Sequence, residues 1–124
     1  MSYNAPIRRF DKEMMIELVV LLRMTPGSQI TTADVARCID HTLLKAEVTQ
    51  AEIVRVCQEA ATHGFHAVCV NSRWVPVVAD RLQGTAVSVA AVVSFPLGAD
   101  TTKVKIAQAQ DAIYAGADEI DMVI

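Results

Sequence analysis

From Thr31 onward the chain alternates between two hydrophobic rhythms. Short, nearly continuous apolar runs, CIDHTLL (38–44), HAVCVN (66–71), VSVAAVVSF (87–95) and DEIDMVI (118–124), are separated by stretches in which apolar residues recur every three or four positions. Continuous runs of this length suit strands buried on both faces. The periodic stretches between them suit crossover helices, so the pattern predicts a parallel α/β sheet.

The helix boundaries carry their own signals. Thr49 with Glu52 three residues on forms a capping box, Ile53, Val56, Cys57 and Ala60 share one helical face, and Gly64 is placed to end the helix. SRWVPVVADRLQG (72–84) predicts a second helix with Pro76 near its start. Asp100, Thr101 or Thr102 caps a third, whose Ile106, Ala109 and Ile113 share a face and which Gly116 closes. Ahead of these, residues 11–24 read as an amphipathic helix, TPGSQ (25–29) as a turn and Thr32–Ala36 as a short helix. The predicted organisation is a segment 1–30 with one amphipathic helix, followed by a unit 31–124 ordered β-α-β-α-β-α-β.

A weak internal repeat sharpens the sheet. AATHGFHAVCV and AIYAGADEIDMV superpose on Gly64 and Gly116, which puts Val68 over Ile120 and Cys69 over Asp121. Because strand neighbours alternate sides, Cys69 and Asp121 are predicted on one face, opposite Val68, Val70, Ile120 and Met122. Asp40 in the first strand is placed to join them.

Composition changes the picture in two ways. Hydrophobic residues make up 52% of the chain, above the ~45–50% usual for soluble domains, which predicts apolar surface left uncovered. The net charge of -3 and 5% aromatic content give no basic stripe with interleaved rings, which argues against nucleic acid. Cys38, Cys57 and Cys69 form no CxxC and fit reduced thiols in a cytoplasmic protein rather than a disulfide or zinc framework. The apolar run at 18–22 is far below the ~18 residues of a spanning helix, so no membrane association is expected.

Two carboxylates and a thiol converging from different strands suggest a site, and converging strand-borne polar groups mark active sites in parallel barrels. An aspartate near a strand end also serves as a solvated or turn-holding residue, and spacing alone leaves both roles open. Cys69 reads first as a core residue. His41, His63 and His66 lack metal-ligand spacing; His63 and His66 read as solvent-facing boundary residues and His41 as a packed one. Lys45 follows the first strand in a loop, and SFPLGADTT is neither a P-loop nor a GxGxxG turn.

IDHTLLKAEVTQAEI, HAVCVNSRWVP, VVSFPLGADTTKVKIAQAQDAI and GADEIDMVI, in that order, resemble the first half of the deoxyribose-phosphate aldolases, class I aldolases on a (β/α)8 TIM barrel. Ala46 and Ser72 depart from the family pattern, standing where prolines are expected. The resemblance implies reversible Schiff-base cleavage of 2-deoxyribose 5-phosphate to acetaldehyde and glyceraldehyde 3-phosphate, without cofactor or metal. It gives Asp121 the role of catalytic acid–base group, places Asp40 at the active-site end of strand one, and has Asp40, Cys69, Thr42 and Lys45 line the pocket. The family's Schiff-base lysine and phosphate loops lie on later strands, and Lys12, Lys45, Lys103 and Lys105 do not match them. The 124-residue chain is therefore expected to be inactive alone, with open edges at its first and fourth strands. Those edges predict a partner, either a second copy forming a homo-oligomer or the missing C-terminal half. A non-catalytic self-assembling half-barrel is one alternative; an open flavodoxin-type domain binding a small phosphorylated ligand is another.

Overall fold

The computed structural model describes residues 29–124, so the amphipathic helix expected at 11–24 lies outside the described residues. Thr32–Ile124 forms one compact unit. It opens with a short helix α1 (Thr32–Ala36) and continues through β1 (Asp40–Leu43), α2 (Gln50–His63) and β2 (Ala67–Asn71). A 3-10 turn (Ser72–Trp74) leads into α3 (Val75–Leu82), followed by β3 (Ser88–Val93), α4 (Thr102–Tyr114) and β4 (Glu119–Met122). The four strands are all parallel, in the order β1-β2-β3-β4. This is the arrangement of the first half of a TIM barrel; the alternating pattern predicts its parallel sheet, and the resemblance implies the barrel.

Local chemistry explains the helix limits. At the start of α2 the Thr49 N–H donates to the Glu52 carboxylate at 2.8 Å, while the Glu52 N–H donates to Thr49 Oγ1 at 3.4 Å. Two otherwise orphaned N–H groups are thereby satisfied, and this hydrogen bonding holds Glu52 below the usual carboxylate range. At the other end Gly64 takes φ 66° and the Phe65 N–H closes onto the Ala60 carbonyl at 3.0 Å. Pro76 sits in the first turn of α3, where its missing N–H costs no hydrogen bond.

The two faces of the sheet differ. Val68, Val70, Val89, Ala91 and Ile120 point toward the helices and pack with Ile53, Val56, Cys57, Ala60, Val75, Val78 and Leu82 into the main core. The opposite, inner face carries Ala67, Cys69, Ala90 and Val92 as a second, smaller apolar cluster. The predicted parity of Val68, Cys69, Ile120 and Asp121 is therefore the observed one.

Two details differ from expectation. Helix α4 buries Ala112, whereas Ile106 and Ile113 are 52% and 39% exposed. Adjacent helical positions lie about 100° apart, so a face centred on Ala112 leaves the Ile106, Ala109, Ile113 stripe to one side of the sheet. As predicted, Gly116 closes that helix just past its cap Ala115: it takes φ 108°, its N–H donates to the Ile113 carbonyl at 3.1 Å, and the Ala117 N–H donates to the Ala112 carbonyl at 3.0 Å. The last strand covers Glu119–Met122 rather than all of 118–124.

Candidate active site

The inner face is built row by row from the strand register. Thr42 pairs with Cys69, Cys69 with Ala90, and Ala90 with Glu119. One row further toward the carboxyl ends, Asn71 pairs with Val92 and Val92 with Asp121. Cys69 and Asp121, equivalent in the internal repeat, thus share a face but stand two residues apart in register across two strand steps. That offset averages one residue per strand, the stagger that closes eight strands with a shear of about 8.

Asp40 is the first residue of β1 and pairs with Ala67, the first of β2. It therefore opens its strand, two residues before Thr42 on the same face. It belongs to the same electrostatic cluster. Burial raises its pKa, His66 opposes the rise, and Glu119 and Asp121 add to it. Cys69 is buried, and its thiol is pushed up to about 11 by burial first, then by Asp121 and Asp40. A thiol this reluctant to ionise is a poor nucleophile.

Thr42 lies beside Cys69 and donates from Oγ1 to the Asp40 carbonyl at 2.9 Å. Lys45 is exposed in the loop after β1. The structure thus brings together Asp40, Thr42, Cys69 and Asp121, and leaves Lys45 at the rim. The rim itself is tied down by side chains: Asn71 Nδ2 donates to the Leu44 carbonyl at 3.0 Å, and the Ser94 N–H donates to Gln108 Oε1 at 2.8 Å.

Two further residues enter the cluster that the sequence reading left out. Glu119 lies on the inner face, and His66, read as a solvent-facing boundary residue, is half-buried with its Nε2 2.9 Å from Glu119 Oε1. Glu119 was signalled by its place two residues before Asp121 on one strand. His66 carried no such signal, because its partner is 53 residues away. His41 projects to the helix side, its Nε2 2.7 Å from Glu59 Oε2 and its ring tilted against Phe65; the bond to Glu59 holds that carboxylate below the usual range. Among the described residues no three His, Cys, Asp or Glu side chains are grouped to hold a metal ion, and no helix is long and apolar enough to cross a membrane.

Residues 34–124 match the model of the DeoC/LacD family aldolases. The chain belongs to this family. Among solved structures, a Coccidioides immitis protein assigned as a deoxyribose-phosphate aldolase is 31% identical, with a TM-score of 0.75 over 91% of this chain and 47% of its own. The deoxyribose phosphate aldolase of Aeropyrum pernix, described as a tetramer, is 29% identical with a TM-score of 0.70 over 74% of this chain and 39% of its own. A further solved aldolase is 35% identical, with a TM-score of 0.67 over 72% of this chain and 39% of its own. The chain thus spans about half the length, or less, of the DeoC/LacD aldolase structures it matches. The region of similarity includes the entire described sheet, and with it every inner-face residue above.

Proposed function

We propose that residues 31–124 supply the first four βα units of an aldolase barrel that cleaves 2-deoxyribose 5-phosphate reversibly, through a lysine Schiff base, to acetaldehyde and glyceraldehyde 3-phosphate. Family membership supports the reaction class. The observation that carries the reading is the sharing of one inner face by Asp121, Cys69 and Asp40, opposite the helices.

In this reading Asp121 moves protons at the substrate, by way of water and an amine from elsewhere in the barrel. Asp40, whose carboxyl keeps its proton to higher pH than usual, tempers the negative charge of the face. Thr42 and Cys69 shape the wall and Lys45 stands at the rim. The covalent step needs an amine on the inner face. Lys45 lies in an exposed loop, while Lys103 and Lys105 lie on α4 in the helix layer. The Schiff-base lysine and the phosphate loops therefore come from outside these four units. A positioned carboxylate alone contributes ~10²- to 10⁴-fold, short of the ~10⁶-fold or more typical of enzymes.

The test is borohydride trapping with 2-deoxyribose 5-phosphate. The 124-residue chain alone is expected to show no reduced lysine adduct, and a mixture with the remaining βα units of a homologous barrel is expected to show one, which Asp121→Asn abolishes. A trapped lysine on the isolated chain would overturn the assignment.

A second reading has its own observation. Val104, Ile106 and Ile113 on α4 are 42%, 52% and 39% exposed, and β1 and β4 are the sheet's edges. Uncovered apolar helix and unpaired strand favour self-association into a non-catalytic half-barrel assembly. A native mass equal to one chain at micromolar concentration rejects that alternative.

A further inference from the structure

The inner face holds one arrangement that the proposed proton chemistry leaves unused. His66, the residue before β2, reaches across β3 to Glu119, the first residue of β4, with Nε2 2.9 Å from Oε1. On this face β3 presents Ser88 and Ala90 at the crossing level, and their small side chains leave the path clear. Both ends are anchored by backbone. The His66 N–H donates to the Ile39 carbonyl at 2.9 Å and the His66 carbonyl accepts from the Ser88 N–H at 2.9 Å. At β4 the Asp118 N–H donates to the Val89 carbonyl at 2.8 Å, while the Asp118 carboxylate accepts from the Val89 N–H at 2.9 Å.

Among the described residues β4 is held by backbone bonds to β3 alone, so a side-chain tie from the far side of β3 restrains the motion this leaves free. We infer that His66 and Glu119 are a positioning pair, whose hydrogen bond ties the start of β4 to the start of β2 and so sets where Asp121, two residues further along, presents its carboxylate. The inference rests on reading Asp121 as the acid–base group.

The charges around the pair are mixed. Asp40, Cys69 and Asp121 share its face. Arg37 and His63 line the same recess of about 530 Å³ as His66, and Arg37 is itself paired with Asp34. His66 draws the Asp40 pKa down, while Glu119 and Asp121 push it up. Removing the charge of His66 therefore raises Asp40 further, an effect that a purely steric role for His66 does not produce.

The test uses the 124-residue chain, with amide exchange of β4 and carbon-detected titration of Asp40 as readouts. The side chains of His66 and Glu119 are 42% and 39% exposed, which screens the bond and limits its expected size. His66→Ala and Glu119→Ala are each expected to lower protection of the Asp121 and Val123 amides about three- to tenfold, with the double variant no lower than either single one. His66→Gln keeps a donor without the charge; it is expected to restore protection and to raise the Asp40 midpoint. Glu119→Gln keeps an acceptor and covers the case in which an alanine variant fails to fold; it is expected to retain protection. Unchanged protection in both alanine variants, additivity in the double variant, or failure of the Gln variants to hold β4 would overturn the pairing. None of these readouts uses substrate, so a failed borohydride experiment and a failed positioning pair are told apart.

Discussion

Along β2 and β3, with α2 and α3 laid over them, nearly every side chain is buried, whereas β1, β4 and α4 leave much of theirs in solvent. Chemistry is divided the same way. On the inner face the middle strands offer Ala67, Cys69, Ala90 and Val92, while the outer strands offer Asp40, Glu119 and Asp121. A carboxylate placed in the dry middle would have to shed its water without a partner, at a cost of several kcal/mol or more. At the margins it keeps part of its hydration and still faces an apolar wall, the condition that raises Asp40. The middle holds the fold and the margins hold the reactive groups.

The largest expected effect tests that division directly. Ile53 is fully buried, so Ile53→Ala removes transferred surface and leaves a cavity, at an expected cost of about 2–5 kcal/mol in urea unfolding. Ile106, 52% exposed on α4, is an equally large side chain at the margin, and Ile106→Ala is expected to stay within about 0.5 kcal/mol. A cost for Ile106→Ala approaching that of Ile53→Ala would mean that the margin is covered in solution. That outcome would break the contrast and favour the self-associating reading.

A smaller effect separates the two regions by pH. Cys69 has its thiol raised from 9.0 to about 11, chiefly by burial. A raised folded-state value means that the folded chain holds this proton more tightly than the unfolded one. The corresponding stability is fully present below pH 9 and is lost as pH rises through about 11. Its full size is about 2–3 kcal/mol, since every tenfold gain in proton affinity on folding is worth about 1.4 kcal/mol. Unfolding free energies of the wild type and Cys69→Ala, compared from pH 8 to 11.5, isolate it from other titrating groups: the wild type falls more steeply, by up to that amount. Parallel curves would show that the middle of the inner face is wetter than its burial implies.

How much of this was legible in sequence follows from the range of the interactions. The limits of α2 could be read because Thr49, Glu52 and Gly64 act on neighbours a few residues away. The two faces of the sheet could be read because alternation is a property of each strand alone. Register could not, since whether Cys69 stands level with Glu119 or Asp121 is decided between strands. The same limit hid the tie from His66 to Glu119. The Ile106, Ala109, Ile113 stripe shows a different limit: periodicity tells which residues share a helical face, not what that face meets. Asp40 and Asp121 were found as candidates because an acid inside an apolar strand is costly enough to need a reason. The position of Asp40 at the amino end of β1 was invisible until the strand had bounds.

The smallest expected effect lies where the buried middle gives way to the open rim. Ser94, directly after β3, is 5% exposed, takes φ 57° and has a buried Oγ with no hydrogen-bond partner among the described residues. A left-handed conformation costs a residue with a Cβ about 1–2 kcal/mol, and an unpaired buried hydroxyl costs a similar amount. Glycine relieves both but loses more freedom on folding, by about 0.5–1 kcal/mol. Ser94→Gly is therefore expected to stabilise the chain by at least about 1 kcal/mol, read as a higher urea midpoint at unchanged slope. Ser94→Ala, which removes the hydroxyl but keeps the Cβ strain, is expected to gain less. The order of the two variants matters more than either value. If Ser94→Ala destabilised while Ser94→Gly did not, the hydroxyl would have a bonding partner in solution, and the dry middle would end before Ser94 rather than after it.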